Sequence, residues 1–108
     1  MQVVFLKFLV LTKSLVGAPP LPDPIAALQA SKEYLDAMLA DGSLDCVYQF
    51  ANGHQAVAVV NADSAEEIWE KLTAYPLSPV QEYEVHPLAD VYYVFEKELE
   101  RMQQMESG

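Results

Sequence analysis

Proton-transfer chemistry needs groups that titrate near neutral pH, and the two histidines of this chain, His54 and His86, are of that type. Glu82 and Glu84 precede His86 at alternate positions of a segment in which polar and apolar residues alternate. Such alternation indicates a half-buried strand. We therefore expect Glu82, Glu84 and His86 to share one face of a sheet.

A lysine, Lys7, interrupts the first apolar segment, VVFLKFLVL. A buried ammonium group without a partner is costly, so it pairs with a carboxylate, faces a ligand or sends its amine to solvent along a buried stem. We expect the last strand to lie beside the first, which makes Glu82 or Glu84 the available carboxylate. We predict a catalytic set in which Lys7 orients a substrate carbonyl or carboxylate while His54 or Glu84 moves the proton.

Other polar side chains are candidates for binding the substrate. Tyr34 lies near the edge of the apolar stripe of the first predicted helix, and Tyr48 offers a phenolic hydrogen bond in an otherwise apolar cavity. We add Glu82 and His86 from the alternating strand. His54 beside a hairpin and His86 before a proline also have structural interpretations, as a surface residue and as part of a chain reversal.

The composition argues against several classes of partner and cofactor. The chain has 108 residues, which suits one domain, and its 16 acidic and 6 basic residues give a formal net charge of −10. Nucleic acids and anionic membrane surfaces require a basic footprint, so neither is expected as a partner. The single cysteine, Cys46, cannot form an internal disulfide, and the sequence has no metal-ligand spacing, phosphate loop or dinucleotide fingerprint. We therefore expect a small-molecule substrate and no cofactor.

The opening segment, MQVVFLKFLVLTKSLVGAPP, allows two interpretations. A secretory signal needs an apolar core of roughly 7–15 residues, whereas the uninterrupted run here covers only residues 8–11. No segment approaches the roughly 20 apolar residues of a membrane span. We interpret residues 2–12 as a strand of a cytoplasmic protein, with a signal peptide as the alternative.

Periodicity and capping residues predict six elements followed by a final helix. Asp23 and Pro24 are typical of a helix start, and Gly42 is typical of a helix end. Ser64 and Glu67 form an S-x-x-E capping box that opens a second helix. The predicted elements are strand 2–12, helix 24–41, strand 43–50, strand 54–62, helix 63–75, strand 80–86 and helix 89–108.

The order β-α-β-β-α-β is that of the ferredoxin-like α+β fold, a four-stranded antiparallel sheet with two helices on one side. Residues 1–88 would form this domain, and residues 89–108 an extra C-terminal helix. The first strand is apolar on both sides, with two alternating sets: Val3, Phe5 and Leu9 against Val4, Leu6, Phe8 and Val10. Such a strand must be covered twice, and a second copy of the sheet is the simplest cover. We predict at least a homodimer, with the C-terminal helix packing on the partner subunit.

Two segments, KEYLDAMLADG and NGHQAVAVVNADSAEEIWEKLTAYPLSPVQEYEVHPL, resemble the muconolactone isomerase-like family of the dimeric α/β-barrel superfamily. The first resembles a helix of that family that ends in glycine. The second resembles its G-H strand, S-x-E helix, P-L-x-P turn and final strand, and Lys7 falls where the family has a lysine in its first strand. The resemblance implies a dimeric α/β barrel within larger oligomers, and a cofactor-free enzyme that moves a proton on an unsaturated lactone.

The chain departs from that family at three places. Gln49 stands near the position of a family arginine that is a plausible partner for a substrate carboxylate, so Gln49 joins the binding candidates. The loop GAPPLPDP differs, and the helix DVYYVFEKELERMQQ has no counterpart. These differences leave the substrate open.

The resulting hypothesis is a small isomerase- or cyclase-like enzyme that binds an apolar carbonyl- or lactone-bearing metabolite between sheet and helices. One alternative is a non-catalytic ligand-binding or assembly module of the same fold. Another is a cofactor-free monooxygenase of the antibiotic-biosynthesis type, which shares the barrel. A cavity with converging polar groups would favour an enzyme, and a cavity filled by side chains would favour an assembly module.

Overall fold

A four-stranded antiparallel sheet with two helices on one side forms the body of the molecule. The structure is a computed structural model that describes residues 6–107. Its elements are β1 (Leu6–Ser14), α1 (Pro24–Asp41), β2 (Leu44–Gln49), β3 (Gln55–Ala62), α2 (Ala65–Ala74), a 3₁₀ turn (Ser78–Val80), β4 (Gln81–Leu88) and α3 (Val91–Ser107). The strand order is β2-β3-β1-β4, so β1 is an inner strand between β3 and β4. This confirms the predicted ferredoxin-like fold with its extra helix; the predicted strand residues 2–5 lie outside the described residues.

The first helix begins and ends at the residues that the sequence indicates. The Asp23 carboxylate accepts a hydrogen bond from the Ala26 amide at 3.1 Å, and Pro24 occupies the first helical position. α1 ends before Gly42, whose φ of +83° lies in the left-handed region that glycine adopts without strain. Local sequence thus defines both ends of α1.

The second helix begins with a modified capping box. The Ser64 hydroxyl accepts a hydrogen bond from the Glu67 amide at 3.2 Å, and the Glu67 carboxylate accepts one from the Asp63 amide at 2.8 Å. The bond from Asp63 is the main cause that holds the pKa of the Glu67 carboxyl below its usual value. The carboxylate therefore reaches one residue further back than in a standard capping box.

The connection between β2 and β3 is longer than the tight turn that the ANG sequence predicts. It spans residues 50–54, so Phe50 and His54 belong to the loop and not to the strands. The Phe50 amide donates to the Gln55 carbonyl at 2.8 Å, which closes the loop. Gly53 supplies the left-handed position with φ of +81°. The turn residue is as expected, but a wider loop places His54 at the end of the sheet.

The core lies between the sheet and the helices α1 and α2. Its buried apolar members are Phe8, Val10, Met38, Leu44, Val60, Ala62 and Ile68. The apolar stripe of α1 is only partly covered: Met38 is buried and Leu35 half-buried, whereas Ile25 and Leu28 are 70% and 59% exposed. Leu28 borders a cleft between α1 and the sheet, and that space leaves its side chain accessible.

The opposite face of the sheet is here called the open face. It consists of Lys7, Leu9, Leu11 and Lys13 of β1 with their neighbours on the other strands. Within residues 6–107 the helices α1 and α2 pack on the other side, and α3 makes no extended contact with any other element. No helix in this described range is both long and apolar enough to cross a membrane.

Candidate active site

A cleft of about 410 Å³ lies between the helix-covered face of the sheet and the helices α1 and α2. Val10 and Ala58 line it from the sheet, and Leu35 and Met38 line it from α1. The volume lies within the roughly 300–1,000 Å³ of small-molecule sites. Side chains do not fill this space, which is the arrangement expected of an enzyme or a ligand-binding protein rather than of a pure assembly module.

The hairpin loop places His54 among the residues that line the cleft, together with Tyr48 and Gln49 at the end of β2. Two side-chain hydrogen bonds hold the loop. Gln49 Nε2 donates to the Gly53 carbonyl at 3.1 Å, and the His54 amide donates to Asn52 Oδ1 at 3.0 Å. Neither bond uses the imidazole ring, which is therefore available to a ligand.

Two tyrosines line the cleft and form hydrogen bonds with the last turn of α2. The Tyr34 hydroxyl donates to the Lys71 carbonyl at 2.7 Å, and the Tyr83 hydroxyl donates to the Leu72 carbonyl at 3.3 Å. Burial is the main cause that raises the pKa of both phenols above the usual value. Both hydroxyl groups thus donate their protons to backbone carbonyls, and both tyrosines line the cleft.

The charged residues that line the cleft are all lysines. Lys13, Lys32 and Lys71 are among them, whereas no aspartate or glutamate of the described chain is. The carboxylate partners of these lysines lie outside the lining, at N–O distances of 3.5, 3.0 and 3.4 Å to Glu82, Asp36 and Glu67 respectively. In a chain with 16 acidic residues, the cleft is therefore a region in which an anion meets little repulsion.

Lys7 lies on the open face, and its carboxylate partner is Asp45 of β2. Lys7 Nζ donates to Asp45 Oδ2 at 2.5 Å and to Asn61 Oδ1 at 2.9 Å. Asn61 Nδ2 donates to Asp45 Oδ1 at 2.7 Å and to the Gly42 carbonyl at 2.9 Å. The hydrogen bond from Lys7, followed by that from Asn61, holds the pKa of the Asp45 carboxyl below its usual value. We call Lys7, Asp45 and Asn61 the open-face network.

Glu82 and Glu84, which we expected to be the carboxylates available to Lys7, do not pair with it, and the register between β1 and β4 gives the reason. Lys7 stands opposite Leu88 near the end of β4. Glu84 stands opposite Leu11, further along β1. The β4 glutamates therefore share the face of Lys7, as expected, but lie along the other half of the strand.

The structure separates the predicted site residues into two groups. His54, Tyr34, Tyr48 and Gln49 line the cleft, whereas Lys7, Glu82, Glu84 and His86 belong to the open face. There His86 Nε2 lies 3.3 Å from Glu84 Oε1, and a second cleft of about 430 Å³ borders Glu82 and Glu84. Because side chains alternate between the two faces of a strand, the sheet lies between Tyr34 or Gln49 and the open-face group, whereas Tyr48, opposite Val57, has its side chain on the open face and borders the cleft at the end of β2.

Sequence reasoning missed the lysines of the cleft and two members of the open-face network. Asn61 had a usable signal, because it is polar within the apolar run AVAVVNA and such residues make hydrogen bonds when buried. No comparable sequence pattern indicates the role of Asp45, because this residue lies at an irregularity in the β2–β3 register between Leu44 and Cys46. A bulge of this kind redirects a side chain without a mark in the sequence.

Comparisons with known proteins agree with this architecture. The sequence profile of a family described as muconolactone delta-isomerase matches residues 6–92, which reaches only the second residue of α3. A crystal structure of muconolactone isomerase is similar to this chain with a TM-score of 0.60 and 26% sequence identity, over 76% of this chain and 88% of that chain. No curated protein sequence matches.

Proposed function

Since the chain belongs to the muconolactone delta-isomerase family, we propose that it is an isomerase-like enzyme that moves a proton within a small lactone or carbonyl compound in the cleft beneath α1. The observation that carries this proposal is an unfilled, largely apolar cleft with an imidazole in its lining and only lysines among its charged lining residues. Such a lining favours a ligand that combines an apolar ring with an anionic group. A lactone that carries a carboxylate is of this kind.

The reaction that we propose is an allylic proton shift. One C–H bond beside the conjugated system breaks, the double bond moves by one position, and a new C–H bond forms. The substrate is neither oxidised nor reduced and loses no group. His54 accepts the first proton and returns it to the second carbon, which is the role of a general base followed by a general acid.

Lys32 is the group that we assign to the anionic part of the substrate. Its side chain is 80% exposed, and its pair with Asp36 is a surface ion pair. Such pairs contribute little to stability, so a substrate carboxylate can compete for the ammonium group. Gln49 is less suited to this role because its amide nitrogen already donates to Gly53.

We assign Lys7 and Glu84 to structure, not to catalysis. The ammonium group of Lys7 already meets two strong acceptors, Asp45 and Asn61, and Glu84 pairs with His86. The sheet separates both side chains from the cleft. Their proposed function is to order the open face.

The test compares two histidine variants with muconolactone as the probe. NMR in D₂O would follow both isomerisation and the uptake of deuterium at the reacting carbons. General acid–base catalysis contributes about 10²–10⁴-fold, so we expect His54→Gln to lower kcat by at least about 100-fold. His86→Gln is the matched control, because it makes the same change on the open face and should alter kcat by less than about threefold.

Two results would contradict the proposal. Equal losses in the two variants would remove the assignment of catalysis to the cleft. Wild-type protein that neither isomerises muconolactone nor exchanges its protons would contradict the proposed reaction on this substrate class, and the same measurement on an unsubstituted butenolide would show whether the carboxylate matters.

A further inference from the structure

A serine interrupts the apolar stripe with which α1 faces the sheet. Ser31 lies about one turn before Leu35 and two turns before Met38, and it is only 3% exposed. A serine in the middle of a helix commonly donates its hydroxyl to a carbonyl three or four residues earlier. The Ser31 hydroxyl makes no such bond, nor any other to the described residues. Neither helix formation nor apolar packing therefore accounts for a hydroxyl at this position.

A second unpaired oxygen lies on the sheet. Gln81 is the first residue of β4, and its Oε1 is buried without a hydrogen bond to the described chain. Gln81 stands opposite Ser14 of β1 and two residues before Tyr83, so its side chain is on the helix-covered face. Within residues 6–107, Ser31 Oγ and Gln81 Oε1 are the two buried side-chain atoms of this kind.

Both residues line the same cleft, the one between α1 and the sheet. Ser31 belongs to its helical wall and Gln81 to its sheet wall. A buried polar atom without a hydrogen bond destabilises a folded chain, so each such atom requires an explanation. Each oxygen can turn towards the cleft by rotation of its own side chain, because both residues line it. Two unpaired oxygens on opposite walls of one cleft point to a ligand that bonds to both.

The two groups differ in the partners that they can bind. Gln81 Oε1 only accepts hydrogen bonds, so its partner must carry an O–H or N–H donor. The Ser31 hydroxyl can donate, so its partner can be a carbonyl oxygen. The oxygens of a lactone and of an ionised carboxylate accept hydrogen bonds but donate none. Muconolactone therefore offers a partner to Ser31 and none to Gln81.

We propose that the substrate of this chain carries a hydroxyl group in addition to its carbonyl group, and that Ser31 and Gln81 select it. The Ser31 hydroxyl donates to the carbonyl oxygen, and the substrate hydroxyl donates to Gln81 Oε1. This inference rests on the proposed function, since it concerns the occupant of the same cleft. It narrows that occupant to hydroxylated lactones and related carbonyl compounds. The two residues determine specificity, and the proton transfer stays with His54.

The first experiment compares two butenolides that differ by one oxygen atom. One carries a hydroxymethyl group and the other a methyl group at the same ring carbon, and titrations followed by NMR would give both dissociation constants. We expect wild type to bind the hydroxymethyl compound at least about fivefold more tightly, because it gives Gln81 Oε1 a hydrogen bond. Equal affinities, or no binding of either compound, would overturn the proposal.

Three variants assign the preference to particular side chains. Gln81→Met keeps the length of the side chain and removes the acceptor, so the two dissociation constants should come within about twofold of each other. Ser31→Ala should weaken the binding of both compounds by about fivefold, because both contain the lactone carbonyl. Ser14→Ala is the matched control, since Ser14 lines the cleft but is exposed, and it should change either constant by less than about twofold. Equal effects of the three variants would contradict the assignment.

Thermal unfolding without ligand distinguishes this role of Ser31 from a structural one. The hydroxyl has no partner in the free chain, and alanine is a better helix former than serine. Ser31→Ala should therefore raise the midpoint of unfolding by about 2–5 °C while it weakens binding. A hydrogen bond that served the fold would give the opposite sign, so a lowered midpoint would count against the proposal.

Binding and turnover are measured separately, so this proposal and the proposed function fail in different ways. Preference for the hydroxymethyl compound in a protein that isomerises no lactone would support the assignment of Ser31 and Gln81 and contradict the reaction. Isomerisation of muconolactone by a protein with no such preference would support the reaction and overturn the assignment.

Discussion

The two faces of the sheet are built from the same strands but treat polar groups differently. On the helix-covered face, β1 contributes Phe8 and Val10 to the core, and an unfilled cleft remains beside them. On the open face, β1 contributes Lys7 and Lys13, and each of these ammonium groups lies beside a carboxylate of the same face. The difference shows that a titratable residue within an apolar strand does not by itself indicate a catalytic site.

What distinguishes Lys7 from His54 is whether the side chain already makes hydrogen bonds within the protein. Lys7 attracts attention in the sequence because it interrupts an apolar strand, yet its hydrogen bonds are made to Asp45 and Asn61. His54 looks ordinary beside a hairpin, yet it is among the residues that line a cleft of about 410 Å³. Pairing inside the protein therefore argues for structure, and an unused group beside an empty cleft argues for function.

The difference between the two faces is tested most directly by placing the same charge on each side of β1. Val10 is 1% exposed in the core, so Val10→Asp buries a carboxylate without a partner. We expect it to lower the free energy of unfolding by at least about 4 kcal/mol, which removes much of the stability of a small domain. Chemical denaturation monitored by circular dichroism would measure the loss.

Leu11→Asp is the companion variant, because Leu11 is the next residue of β1 and belongs to the open face. It should keep the fold and lower the free energy of unfolding much less than Val10→Asp does, because Leu11 is only half-buried and a carboxylate there can reach solvent. If both variants unfolded to the same extent in dilute solution, the two faces would not differ in the way described.

Asn61 provides the next largest effect, because it hydrogen-bonds to Lys7, Asp45 and the Gly42 carbonyl and is only 7% exposed. Asn61→Leu removes its bonds to Asp45, Lys7 and the Gly42 carbonyl. An unsatisfied polar group at a buried position costs about 1–3 kcal/mol, so we expect a loss of about 2 kcal/mol in urea denaturation. An unchanged free energy of unfolding would mean that the network contributes no stability.

Lys7→Met should have the smallest effect on stability. The side chains of Lys7 and Asp45 are 52% and 40% exposed, so solvent screens the pair and its loss should cost about 1 kcal/mol or less at neutral pH. Activity towards muconolactone should stay within about threefold of wild type. A large fall in kcat with little change in stability would instead show that Lys7 takes part in catalysis.

The same variant should change the dependence of stability on pH. The pKa of Asp45 is held below its usual value in the folded chain, mainly by the hydrogen bond from Lys7. The stabilisation is therefore present above the pKa of the unfolded chain and is lost as the pH falls through the folded pKa. The gap between wild type and Lys7→Met should narrow in acid, since both then carry a protonated Asp45, and a gap that widened would contradict this explanation.

The sequence was sufficient to predict the order of the elements and the fold. The capping residues Asp23, Gly42 and Ser64 act locally, so their function follows from neighbours along the chain. Alternation in the β4 segment correctly placed Glu82 and Glu84 on one face. These features depend on short-range geometry, which a sequence expresses directly.

The division of the candidate site between two faces could not be predicted. β1 is apolar on both sides, so its pattern does not show which side the helices cover. The partner of Lys7 comes from β2, two strands away, because of the irregular register between Leu44 and Cys46. His54 lines the cleft because the hairpin loop is wider than the NG sequence indicates. Each of these facts depends on contacts between distant segments.

The strand order has a consequence for the chain during its synthesis. β1 leaves the ribosome first, but its partners are β3, from residue 55, and β4, from residue 81. At about 5–20 residues per second, the strand waits several seconds before its second neighbour exists. Helix α1 can form meanwhile, since its caps are local. The nascent chain therefore presents an apolar strand with unpaired edges, which makes β1 a segment where binding by a chaperone would matter for this protein.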